Sequence, residues 1–267
     1  MANESFPIRT NGMAPERPVV DRDYAIDGAP AAIRTHGLTR KFGDAVAVDA
    51  IDPCVGAGEI FGLVGADGAG KTTTIRMLAT RLPPSAGAAQ VAGFDLRREA
   101  GLIRRRTSCV PLGLQADVDL TGYENLLALA RLQGVPAGVR RRRVRETLDV
   151  MCIGDAAHQW VRHYPGGMIR RLEIAQALVN CPDILFLDEP TAGLEPAARH
   201  AVRDRIRALW KCWRTTIFMT TRCMDEAEAL CTCIAFIERG RIVVPGHARG
   251  TDGAGPAPPR LSMTCSA

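Results

Sequence analysis

The chain has 267 residues, 46% hydrophobic and 24% charged, enough for one large domain or two small ones around a sizeable core. No apolar run approaches the ~18 residues of a membrane span, and residues 1–30 lack the apolar stretch of a signal peptide, so a cytosolic protein is expected. The net charge of +5 comes largely from arginine, but aromatics are only 5% of the chain, which argues against the basic surface with interleaved aromatics of a nucleic-acid binder.

Residues 1–30 are rich in Pro, Gly and charge without periodicity and are expected to form a disordered leader. Residues 33–38 and 45–51 fit short strands, with Lys41-Phe42-Gly43-Asp44 as the turn between them. On position alone, Phe42 fits a packing residue beside a turn. Residues 59–64 fit a buried strand. The next stretch, Gly65-Ala66-Asp67-Gly68-Ala69-Gly70-Lys71-Thr72-Thr73, matches G-x-x-x-x-G-K-[ST]. Residues 73–82 then fit a helix with Ile75, Met77, Leu78 and Leu82 as its apolar positions. Strand, glycine loop and helix are the context of a phosphate-binding loop; the alternative is a glycine-rich turn before a core helix. In the first case, loop amides and the helix N-terminus point at phosphates. Lys71 reaches the β- and γ-phosphates, and the Thr72 hydroxyl holds Mg²⁺.

Pro83-Pro84-Ser85-Ala86-Gly87 is a turn cluster, 88–92 fits an edge strand and 107–111 another short strand. Thr121 opens a helix, and Glu124, three residues on, completes a capping box. A second helix spans 140–152, so residues 112–164 or so read as a helical insertion. Arg140 to Arg143 with Arg145 fit a solvated helix face; phosphate or anionic-lipid contact is the alternative. Helices at 168–179, 196–210 and 225–230 alternate with strands at 184–187 and 215–220, and strands 234–237 and 242–244 close a hairpin across Arg239-Gly240. Residues 247–267 read as a loose tail. The alternation predicts an α/β fold, a mostly parallel sheet covered on both faces. The nine cysteines lie mostly in apolar runs, and neither disulfides nor a metal cluster is expected.

The apolar run 184–187 ends in Asp188-Glu189, where open α/β sheets bind ligands. Beside a phosphate loop, Asp188 can hold Mg²⁺, and Glu189 can orient and deprotonate an attacking water. The alternative is a helix-capping pair after a core strand.

With these residues in view, the chain resembles the ATP-binding subunit of an ABC transporter over about residues 32–246. It is most similar to the drug-exporter type associated with daunorubicin resistance. The resemblance rests on Leu38-Thr39-Arg40-Lys41-Phe42-Gly43, Gly58-Glu59-Ile60-Phe61-Gly62, the phosphate loop, Leu120-Thr121-Gly122-Tyr123-Glu124-Asn125-Leu126, Gly166-Gly167-Met168, the Asp188-Glu189-Pro190-Thr191 strand end and Met224-Asp225-Glu226-Ala227-Glu228. It implies a P-loop NTPase with a RecA-type core, a small antiparallel β subdomain and an inserted helical subdomain. It implies that Phe42 stacks on adenine, and that Gly166 and Gly167 contact the γ-phosphate of a nucleotide held by the other subunit of a homo- or heterodimer. It further implies ATP and Mg²⁺ as ligands, export through a separate membrane permease, and a place on the cytoplasmic face of the membrane.

Four positions depart from the family pattern, all near the expected γ-phosphate. Pro165 replaces the signature serine and removes a hydroxyl and an amide donor. Leu112 stands where a glutamine is usual and cannot ligate Mg²⁺; Gln115 could substitute only if the loop shifted. Glu195 replaces Asp before Pro196. Arg222 replaces the switch histidine, and arginine only donates. The phosphate cradle is complete while the groups that time hydrolysis are depleted, so slow intrinsic turnover is expected. The alternative to a pump engine is a weakened half of an asymmetric dimer, or a regulatory subunit.

Overall fold

The computed structural model describes residues 25–26, 29–113 and 115–246. The expected tail and most of the expected leader lie outside the described residues. Near the leader's end, β1 (Ala25–Ile26) pairs antiparallel with the start of β2 (Ala29–Phe42).

One edge of β2 carries β3 (Ala45–Ile51) and β4 (Cys54–Gly56), all antiparallel. The chain then enters β5 (Ile60–Val64) and α1 (Lys71–Leu78) before returning to β2's other edge as β6 (Ala86–Val91), followed by β7 (Phe94–Asp95). The expected edge strand at 88–92 is therefore an interior one. Ala92 (φ 54°) and Gly93 (φ 85°) form a tight two-residue turn that folds Phe94 and Asp95 back onto it. Helix α1 stops earlier than the apolar pattern suggests, because Thr80 takes a left-handed φ of 58° ahead of Pro83-Pro84.

A helix not expected from the sequence, α2 (Ala100–Arg106), buries only Ile103 and so carries no apolar stripe to betray it. It leads into β8 (Thr107–Val110). Two helices follow, α3 (Gly122–Leu132) and α4 (Ala137–Val150), then α5 (Gly166–Leu178), β9 (Ile184–Asp188), α6 (Pro196–Trp213), β10 (Thr216–Thr221), α7 (Met224–Leu230), β11 (Cys233–Glu238) and β12 (Arg241–Gly246). In α4, Arg140 caps the Val135 carbonyl, whereas Arg141, Arg142 and Arg145 are exposed.

The second sheet runs β12-β11-β5-β10-β9-β8 and is parallel except for the terminal hairpin. Its inner strands β5, β9 and β10 are buried along their whole length and mostly apolar, because both faces are covered. Ile60, Leu185, Leu187, Ile217 and Met219 pack to one side, and Phe61, Leu63, Ile184, Phe186 and Phe218 to the other. Phe218 sits opposite both Phe61 and Phe186 in register, with ring centroids 5.1 and 5.9 Å away. This row of rings locks the alignment of β5, β10 and β9, since a one-residue slip would send each ring to the opposite face.

The capping box at α3 is formed in full: Glu124 N–H donates to Thr121 Oγ1 at 3.2 Å, and Thr121 N–H donates to Glu124 Oε2 at 2.9 Å. Thr121→Ala should lower stability by about 1 kcal/mol in denaturant titration. Accepting the Thr121 amide holds the Glu124 carboxyl below the ordinary glutamate range. Its contribution is thus complete at neutral pH and is lost as pH falls through the lowered value. The stability gap between wild type and Glu124→Ala should accordingly narrow on acidification.

Candidate functional site

The carboxyl ends of β5, β10 and β9 meet at one edge of the parallel sheet. Register sets Thr220 level with Leu63 on one side and Asp188 on the other, and Thr221 level with Val64. Open α/β sheets present their ligand crevice at this edge.

The loop leaving β5 is anchored from both sides. Gly65 N–H donates to Thr221 O at 3.2 Å, and Gly240 N–H donates to Ala69 O at 3.0 Å. Gly70 ends the loop with a φ of 109°, and a Cβ there would lie 2.5 Å from Ala47 O. Only glycine satisfies both constraints. Helix α1 starts at Lys71 with no side-chain cap, so its first amides stay available to an anion. That combination fits a phosphate group.

Lys71 is 4% exposed. Its ammonium donates to Gly65 O at 2.8 Å and Ala66 O at 2.9 Å, and lies 3.1 Å from Glu189 Oε1. Next to it, Thr72 Oγ1 donates to Asp188 Oδ2 at 2.8 Å, while Thr220 Oγ1 donates to Asp188 Oδ1 at 2.6 Å. Asp188 is thereby aimed at the head of α1. The oxygen pair of Thr72 and Asp188 suits a hard divalent cation such as Mg²⁺. Glu189 takes a left-handed φ of 45°, unusual for a residue with a side chain, and its N–H donates to Thr220 O and Oγ1, each at 3.1 Å.

Behind this layer lies a second carboxylate arrangement not anticipated from the sequence. Glu226, 2% exposed, accepts from Thr191 Oγ1 at 2.7 Å and from Thr221 Oγ1 at 2.6 Å. It ties the chain after Glu189 to the end of β10. Thr220 is likewise not expected from the sequence; the paired threonines that end β10 after Ile217, Phe218 and Met219 are the available signal.

The departures from the family pattern each have a definite geometry. Arg222 Nη1 pairs with Asp67 Oδ2 at 3.1 Å, and both side chains are largely exposed. Leu112 is 52% exposed. Gln115 donates its backbone N–H to Glu173 Oε1 and lines a cleft of about 290 Å³ with Cys109, Glu173 and Gln176. Glu195 occupies the N-cap of α6 without making a side-chain cap, as expected when an extra methylene carries the carboxylate past the N2 and N3 amides. Pro165 is the N-cap of α5, where its lack of an N–H is tolerated.

The remaining expected site residues stand apart from the Lys71 cluster. Phe42 is 48% exposed, with the Arg40 guanidinium 4.6 Å over its ring, at the tip of the β2–β3 hairpin whose Ala47 abuts Gly70. Gly166 and Gly167 open α5 and face Leu194 and Ala198; a Cβ on Gly167 would come within 2.8 Å of the Ala198 Cβ.

This crevice and its sheet define a nucleotide-binding domain of the P-loop class. The family model described as "ABC transporter" matches residues 48–192, more than half of the chain. The chain belongs to the ABC transporter family, among its ATP-binding subunits. It is 46% identical over 215 residues to the daunorubicin/doxorubicin resistance ATP-binding protein of Streptomyces peucetius, covering 80% of this chain and 65% of that protein. It is 40% identical over 219 residues to the Nod factor export ATP-binding protein I of Ralstonia nicotianae, covering 82% of this chain and 68% of the relative. The chain thus spans about two thirds of these relatives' length. Among solved structures, cbiO1 from Clostridium perfringens, part of the ABC transporter complex cbiONQ, superposes with a TM-score of 0.75 at 24% identity, covering 81% of this chain and 88% of that one. A dimeric ATP-binding cassette in a post-hydrolysis state bound to ADP and Pi superposes with a TM-score of 0.71 at 22% identity, covering 82% and 100%. At these identities the likeness is one of fold.

Thr220→Val keeps the shape of the side chain and removes the hydroxyl shared by Asp188 and the Glu189 amide. It should cost about 1–3 kcal/mol in denaturant unfolding, because buried polar groups lose their partner.

Proposed function

We propose that this chain is the ATP-hydrolysing subunit of an exporter, driving a separate membrane permease from the cytoplasmic face. The observation that carries the reading is the meeting of the site's two halves: Lys71 lies 3.1 Å from Glu189, and Thr72 2.8 Å from Asp188. Membership of the family supports ATP as the ligand, and the names of the relatives, one of drug resistance and one of export, support outward transport. Among the described residues no helix is long and apolar enough to cross a membrane, which fits a separate permease.

In this reading the loop 65–73, namely Gly65, Ala66, Asp67, Gly68, Ala69, Gly70, Lys71, Thr72 and Thr73, wraps the triphosphate, and Phe42 stacks on adenine. The Lys71 ammonium exchanges its carbonyl and carboxylate partners for β- and γ-phosphate oxygens. Mg²⁺ held by Thr72 and Asp188 would neutralise charge on those oxygens. Glu189, freed from Lys71, orients the attacking water and accepts its proton. Gly166 and Gly167 present α5 to the γ-phosphate held by a second ATP-binding subunit, identical or different. The helices between 112 and 164 carry the motion to the permease. No nucleic-acid partner is needed.

Leu112, Pro165 and Arg222 leave water and γ-phosphate with fewer positioned partners, and each such loss costs ~10²–10³ in rate. Turnover of the isolated subunit should therefore be slow. Lys71→Ala should abolish binding of a fluorescent ATP analogue, whereas Glu189→Gln should retain binding and lose phosphate release. Equal affinity in wild type and Lys71→Ala would refute the site. Restoring the usual side chains in a Leu112→Gln/Arg222→His double variant should raise steady-state turnover at least about 10²-fold; an unchanged rate would mean that these positions do not limit hydrolysis.

A further inference from the structure

Arg170 lies one turn into α5 and is 5% exposed, with Glu173 beside it at 3%. Its guanidinium reaches away from the glycines that open the helix and into the back of the carboxylate loop. Nε donates to Pro190 O at 2.9 Å and Nη2 to Asp188 O at 3.0 Å, with Glu189 O at 3.5 Å. Nη1 donates to Pro111 O at 2.8 Å and to Glu173 Oε2 at 3.1 Å. Glu173 uses its other oxygen to accept the Gln115 N–H. One buried ion pair therefore joins the chain at 188–190, Pro111 and Gln115 to helix α5.

The location gives this pair a task beyond packing. Glu189 sits in a left-handed backbone conformation that persists only where its surroundings enforce it. Thr220 grips the amide of Glu189 from one side. The planar fork of Arg170 grips the carbonyls around it from the other, a geometry a lysine cannot reproduce. The loop at 111–115 is the segment in which Leu112 offers no side-chain ligand.

We propose that Arg170 and Glu173 are positioning residues that set the orientation of the Glu189 carboxylate and couple it to the loop at 111–115, through main-chain hydrogen bonds rather than through a side chain at position 112. The proposal rests on the reading of Glu189 as the base that activates water. Displacement of a reacting group by about 1 Å can cost ~10² in rate while leaving substrate binding untouched.

The test uses the full chain and Arg170→Lys, which keeps the charge, with Glu173→Gln as a milder variant that keeps the volume and one of the two acceptor oxygens. Arg170→Lys should lower kcat for MgATP by about 10², with KM and the affinity for a fluorescent ATP analogue within about threefold of wild type. Glu173→Gln should fall between the two. Amide hydrogen exchange without nucleotide should speed up at both 111–116 and 189–192 in Arg170→Lys, by about tenfold or more, while the strands β5 and β10 stay protected. Unchanged kcat in Arg170→Lys overturns the positioning role, as does a loss of rate matched by an equal loss of nucleotide affinity. Exchange that rises at 189–192 but not at 111–116 overturns the coupling. A wild-type chain that neither binds nor hydrolyses ATP would instead sink the underlying reading of Glu189. The exchange measurement would then judge the coupling on its own, because it needs no nucleotide.

Discussion

A lysine ammonium that is almost wholly buried must be paired, because an isolated charge cannot be taken out of water at tolerable cost. At Lys71 that requirement shapes the neighbourhood. Two carbonyls of the loop curl back to it and Glu189 comes across from β9. The loop is thus held in its wrapped form by the side chain that would later meet phosphate. In the proposed function, triphosphate binding would be an exchange of partners around a cation already in place, and it would release Glu189. Binding and activation of the base would then be two readings of one electrostatic contact.

The contact exists because three strands are aligned to within a residue. Phe218 between Phe61 and Phe186 fixes that alignment from the middle of the sheet. Above the rings, the same register places Thr220 between the phosphate loop's strand and Asp188. A hydroxyl in that position can donate to Asp188 and accept from Glu189 at once. Buried networks of this kind are stable only when every member is satisfied. Glu226, receiving Thr191 and Thr221, extends the satisfied network one layer back.

The four departures from the family pattern fall outside this network. Arg222 and Asp67 form an exposed pair, which contributes little to stability. Leu112 points its apolar side chain to solvent, and Glu195 leaves α6 uncapped by its side chain. None of these side chains hydrogen-bonds to Lys71, Asp188, Glu189, Thr220 or Glu226, so they can differ without breaking that network. In the proposed function their cost would fall on chemistry, with fewer groups to hold water and γ-phosphate, while the buried Arg170–Glu173 pair hydrogen-bonds the chain around Glu189.

The local signals were enough to place the phosphate loop, its flanking strand and helix, the Asp188-Glu189 strand end, the capping box at Thr121 and the closing hairpin. Each is a short-range consequence of backbone sterics, hydrophobic period or capping chemistry, and neighbouring residues suffice to express it. The same signals could not show α2, which has a single buried residue, or the interior place of β6, which depends on a turn bringing β7 back. They could not show Thr220, Glu226, Arg170 or the Arg222–Asp67 pair as partners, because those contacts join residues 18 or more apart in some cases and 155 apart in another. The amino-acid order by itself determined the glycine loop, the helix start and the strand-end carboxylates that are proposed to meet a phosphate. Only the packed sheet decided which carboxylates, hydroxyls and guanidinium groups stand behind them, since hydrogen bonds between distant segments exist only once strand register has been set by the buried rings.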